Sequence, residues 1–137
     1  MVFSKIREYL KESTAKVKVV LAETKIKIRN LKNNNIYLAT DYFEYGILGE
    51  CKNRLKIILR LWPNDSYAEY LFGLVHILYR EDEKAIKYLE KVDGDKQKYA
   101  IKLIDIINGN KTEEIINIYK TDQSLSNLES AIDDIKI

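Results

Sequence analysis

Two side chains in this sequence carry intrinsic reactivity: His76, the only histidine, and Cys51, the only cysteine. An imidazole can move protons near neutral pH, and a thiolate is a nucleophile once a charged neighbour lowers its pKa. His76 sits within an apolar helical stretch, where a histidine reads as packing. Cys51 is a small, weakly polar side chain that reads as structural packing rather than as a nucleophile. With no second His or Cys, a zinc site cannot be completed from these ligands. The neighbouring carboxylates Glu113-Glu114 and Asp133-Asp134 read as solvated helix faces, and no glycine-rich phosphate loop occurs. The sequence therefore gives no basis for an enzyme, a metal site or a cofactor.

The remaining chemistry is cationic. Residues 1–32 hold nine basic and three acidic side chains, net +6, which leaves −4 for the rest of a chain whose total is +2. Lys11, Lys16, Lys18, Lys25, Lys27 and Arg29 form a candidate basic surface. Such a surface suits an anionic membrane, with an apolar stripe down and lysines flanking. It also suits non-specific, salt-sensitive contact with nucleic-acid phosphates. The plainer reading is a packing helix with a solvated lysine face. Glu8 and Glu12 interrupt the basic face, and no aromatic residue lies between Tyr9 and Tyr37 to stack on bases.

These residues must be placed by helices. A chain of 137 residues, 46% apolar and 10% aromatic, can supply a core, while 5 Gly and 1 Pro leave few sites for tight turns. That favours an all-α fold. A single cysteine allows no intramolecular disulfide and fits a reducing compartment. The opening MVFSKIREYLKES has charges where a signal peptide needs an apolar run. Val19–Ala22 falls far short of the ~20 apolar residues of a spanning helix. The expected location is cytoplasmic.

Phe3, Ile6, Leu10, Val17, Val20, Leu21, Ile28 and Leu31 recur at helical spacings, which predicts a long amphipathic helix over 1–31. A break is expected near Ser13-Thr14. A competing reading takes the alternation at 16–19 and 25–28 as strand, although no turn residues separate the two runs. Asn33-Asn34-Asn35 is a candidate cap for a helix over Ile36–Tyr45, stopped by Gly46. Helices then follow at Glu50–Leu61, closed by Pro63; from Ser66 to about Tyr79, capped by Asn64-Asp65-Ser66; and from Asp82 to about Asp93-Gly94. A fifth covers Lys96–Ile107. A short one is capped by Thr112, and a terminal one carries Leu125, Leu128, Ile132 and Ile135.

Beneath this lies a 34-residue self-similarity. Lys32–Asp65 aligns without a gap on Ser66–Tyr99, placing Leu38-Ala39 over Phe72-Gly73, Cys51 over Ala85, Leu55 over Leu89 and Ile58 over Val92. The pattern resembles the tetratricopeptide repeat. The first copy carries Leu38, Ala39, Tyr42, Gly46, Cys51, Leu55, Ile58, Leu61 and Pro63 at the corresponding places. The second carries Phe72, Gly73, Ala85, Leu89 and Val92. Asn35 and Glu69 stand where the family has Trp, His76 at an aromatic site, and Gln97 where Pro63 would recur.

The resemblance implies a right-handed stack of antiparallel helical hairpins. Its parts are a basic N-terminal helix (1–31) and a helical domain (32–137) made of repeats at 32–65 and 66–99, a degenerate hairpin at 100–122 and a capping helix at 123–137. It also implies a concave groove lined by first helices, with Ile36, Thr40, Phe43, Tyr67, Tyr70, Leu74 and Ile77 among its residues. Those residues lack the Lys, Asn and Arg of a carboxylate clamp. An apolar, tyrosine-rich groove instead fits an amphipathic helix of a protein partner. The chain's own terminal helices compete for that groove, and a second copy of the chain, giving a homodimer, is a third occupant.

Overall fold

The computed structural model describes residues 2–137. Among these residues the regular structure is helical throughout: α1 (Val2–Glu44), α2 (Leu48–Leu61), α3 (Ser66–Leu78), α4 (Asp82–Leu89), a 3-10 turn (Gly94–Lys96), α5 (Gln97–Asn108), α6 (Thr112–Thr121) and α7 (Leu125–Asp134). The chain divides into two units, one reaching Asn34 and the other Asn35–Ile137.

The described residues of the first unit are helix alone. The β-branched alternation of residues 16–29 does not make a strand, because an isolated strand has no partner for its backbone groups whereas a helix satisfies them internally. No break occurs at Ser13-Thr14: the Thr14 hydroxyl donates to the Leu10 carbonyl at 2.8 Å within the intact turn. α1 also runs through the three asparagines where the sequence suggested a new start. Asn35 does not cap a helix; its Oδ1 accepts from Arg54 on α2 at 3.1 Å.

In the second unit, glycine and proline punctuate the chain as their backbone chemistry requires. Gly46 closes α1 at φ +77°, and the Ile47 N–H reaches back to the Tyr42 carbonyl at 2.8 Å. One period later Arg80 takes the same left-handed conformation at φ 59°, and the Glu81 N–H reaches the His76 carbonyl at 2.9 Å. Asn110, at φ 57°, repeats the arrangement after α5, with the Lys111 N–H on the Ile106 carbonyl at 3.0 Å. Pro63 bars α2 from continuing past Leu61. Asp65 then caps α3 by accepting from the Ala68 N–H at 2.9 Å.

α3 is the centre of this unit. It packs on α2, α4 and α6, while α7 packs on α5 and α6. It comes close to α4 at Gly73: a methyl group there would lie 2.6 Å from Leu89 Cδ2 and 2.7 Å from Leu89 Cγ. Glycine is what lets these two axes come this near. α4 ends at Leu89, earlier than the sequence suggested, because the chain turns into the short 3-10 segment before α5.

Candidate functional site

The groove positions lie in the second unit, and the chain itself covers most of them. Phe43, Tyr70, Leu74 and Ile77 are fully buried; Ile36, Thr40 and Tyr67 are half-buried. The covering comes from the C-terminal helices. The Tyr119 ring of α6 packs on Phe43 with centroids 4.9 Å apart, and its hydroxyl donates to the Phe43 carbonyl at 2.6 Å. The first N–H of α7, at Leu125, donates to Glu44 Oε2 at 3.0 Å, a carboxylate at a helix N-terminus where the dipole favours it. Glu129 of α7 reaches Tyr70: the phenol donates to Glu129 Oε2 at 2.8 Å, and Lys96 Nζ donates to the same oxygen at 2.7 Å. On the rim, the Thr40 and Tyr67 hydroxyls meet at 2.8 Å, and Thr40 also donates to the Ile36 carbonyl at 2.9 Å. Only this rim retains solvent-facing area.

A sequence signal for the covering existed. Ala68, Leu71, Phe72, Leu74, Val75, Ile77 and Leu78 surround α3 except for a narrow stripe holding Ser66, Glu69 and His76, and a helix this apolar is a buried helix. Every residue from Ala68 to Leu78 is buried, including Glu69 and His76. Glu69 is 3% exposed; burial raises its carboxyl pKa, with Lys91 pulling in the opposite direction. Its neighbours Asp65 and Asp93 add to the rise.

The two reactive side chains are held quiet by their surroundings. His76 is 4% exposed and stacks on Tyr88, with centroids 5.4 Å apart and planes within 5°; Phe72 packs at 4.5 Å. Burial lowers its pKa, although Nδ1 lies 3.3 Å from Glu81 Oε1. The ring thus packs against two aromatics and brings one nitrogen within hydrogen-bond distance of Glu81. Cys51 is fully buried, and desolvation pushes its thiol up to about 12, so its thiolate is suppressed at neutral pH. Among the described residues, no three His, Cys, Asp or Glu side chains converge as a metal-binding group.

The basic surface lies in the first unit. Lys11, Lys16, Lys18, Lys25, Lys27 and Arg29 are all exposed along α1. The same helix exposes a long apolar row: Phe3, Ile6, Leu10, Val17, Val20, Leu21 and Ile28 are each at least 48% exposed. At 3.6 residues per turn these fall on one side, joined by Ser13 and Thr24 and by no charged residue. A lone helix cannot bury its own apolar side, so this row is left in water. Among the described residues, no helix is long and apolar enough to cross a membrane.

No family model, no curated protein and no solved structure matches this chain.

Proposed function

We propose that this protein is a non-enzymatic docking scaffold. In this reading the second unit is a tetratricopeptide-like stack sealed by its own C-terminal helices, and the apolar row of α1 is the contact surface. The observation that carries the reading is the uncharged, exposed row from Phe3 to Ile28 on one side of a single helix. Exposed apolar patches of this extent mark interaction sites in soluble proteins. The stack is supported by the recurrence of left-handed residues at Gly46 and Arg80, one 34-residue period apart, and by the close Gly73–Leu89 crossing.

A groove-binding version, in which a partner's helix lies against Phe43, Tyr67, Tyr70 and Leu74, requires α6 and α7 to leave first. The α1 version requires no rearrangement. The two are separated by the size of the protein in extracts of its native cells, read by gel filtration and by pelleting. The intact chain is expected in assemblies or in the pellet. Leu10→Gln, Val17→Gln and Leu21→Gln together should return it to monomer size, since Gln preserves helix propensity. Tyr67→Ala, on the groove rim, should change nothing. Retention of the large species by the triple variant, or its loss in the Tyr67 variant, would place the contact surface elsewhere.

A further inference from the structure

We propose that the apolar row of α1 docks on an anionic lipid surface, with the helix lying flat in the headgroup layer. This rests on the docking reading above and adds the occupant. The charged residues that border the row most closely are all cations: Arg7 and Lys25 along one edge, Lys16 and Lys27 along the other. Glu8 and Glu12 lie on the opposite half of the helix, and Glu23 follows Lys27 and Lys16 around the second edge, farther from the row than either. An apolar centre bordered first by cations, with the carboxylates set behind them, matches acyl chains below and acidic headgroups beside them. Lysine stems can lie along the apolar surface while their ammonium groups reach headgroup phosphates.

Two further features fit an apolar environment. The polar side chains Thr14 and Thr24, at the margin of the row and within it, donate internally to the Leu10 and Val20 carbonyls at 2.8 and 2.7 Å, so their hydroxyl protons need no water. Tyr9 lies at the edge of the row, where a phenol sits at headgroup depth.

Other occupants satisfy only part of the surface. A second copy of the chain would cover the row but bring cationic edges against cationic edges in either orientation. A nucleic acid would pair the cations and leave the row in water.

The test uses the intact purified chain and co-sedimentation with vesicles of phosphatidylcholine, with and without phosphatidylserine, across a salt series. Binding is expected on the anionic vesicles, weaker by at least about tenfold on the neutral ones, and falling as salt rises. Val17→Gln with Leu21→Gln should abolish it, and Lys16→Gln, Lys25→Gln and Lys27→Gln together should weaken it about tenfold or more. Val19→Asn with Ile26→Asn, apolar positions on the opposite half of α1, should leave it unchanged. Loss of binding in that last variant would show both sides of the helix buried and overturn the flat placement.

Equal binding to neutral vesicles would overturn the proposal. So would tighter binding to an oligonucleotide independent of Val17 and Leu21, or a dimer that binds no vesicles. If vesicles are not bound while Leu10→Gln, Val17→Gln and Leu21→Gln together still abolish the native assemblies, the lipid occupant falls and the docking surface stands. If the assemblies persist as well, both fall.

Discussion

Replacing Tyr70 by Phe removes one hydroxyl from the seam between α3 and α7. The hydroxyl is buried and donates to Glu129 Oε2 at 2.8 Å, while Lys96 Nζ holds the same carboxylate at 2.7 and 3.1 Å. A hydrogen bond to a charged acceptor contributes about 1.5–3 kcal/mol. Glu129 keeps Lys96 in the variant, so the lower end applies, about 1.5 kcal/mol. Glu129→Ala is costlier, about 2–3 kcal/mol, because it leaves the Tyr70 hydroxyl without an acceptor inside the body. The double variant removes donor and acceptor together, and its loss should fall short of the sum by about 1–2 kcal/mol. The assay is urea unfolding followed by the fluorescence of Trp62, the only tryptophan, which packs against the core. With a urea slope of about 1–3 kcal/mol per M, the Tyr70 variant should lower the midpoint by roughly 0.5–1.5 M. Additivity within about 0.5 kcal/mol would mean that the two side chains do not share a buried bond, and the sealing of the groove by α7 would be refuted.

Two more outcomes follow from α3. Gly73→Ala gains the helix preference for alanine, about 1 kcal/mol, but drives a methyl into Leu89, and overpacking of about 1–3 kcal/mol outweighs it; the same change made in a Leu89→Ala background should be neutral or stabilising, and a loss in both backgrounds would show that the close crossing is not the cause. His76 has a folded pKa below its usual value near 6.5 because burial outweighs the pull of Glu81, with Lys52 and Lys84 adding to the fall. The unfolded chain therefore takes up a proton first, and stability should drop as pH falls from about 6.5 toward the lower folded value. Midpoints measured across this range should show that drop in the wild type relative to His76→Phe, and a flat or inverted difference would show that the ring is not held neutral.

Much of the fold was legible because its punctuation is local. Gly46, Pro63 and Asp65 act through their own backbone or the next turn, so the ends of α1, α2 and the start of α3 lie near where their residue types place them. Arg80 takes a left-handed conformation 34 residues after Gly46, although no glycine marks it in the sequence. The three asparagines misled because a cap signal acts only where the chain leaves helical conformation, and Asn35 found a partner on α2 instead. The fate of the groove was not local. Tyr70 with Glu129, and Phe43 with Tyr119, join residues far apart in sequence, and no spacing rule predicts such pairs. The composition of α3 was a clue, since a helix with apolar residues on nearly every side is a buried helix.

The central claim, that α1 docks through one side, is tested most directly by a photo-activatable side chain placed in turn at Val20, Glu23 and Tyr67 and irradiated in native cells. Val20 lies in the apolar row, Glu23 on the opposite half of the same helix and Tyr67 on the groove rim. A defined adduct from Val20, and none from Glu23 or Tyr67, is the predicted result. An adduct from Tyr67 with none from Val20 would contradict it, returning the contact surface to the groove.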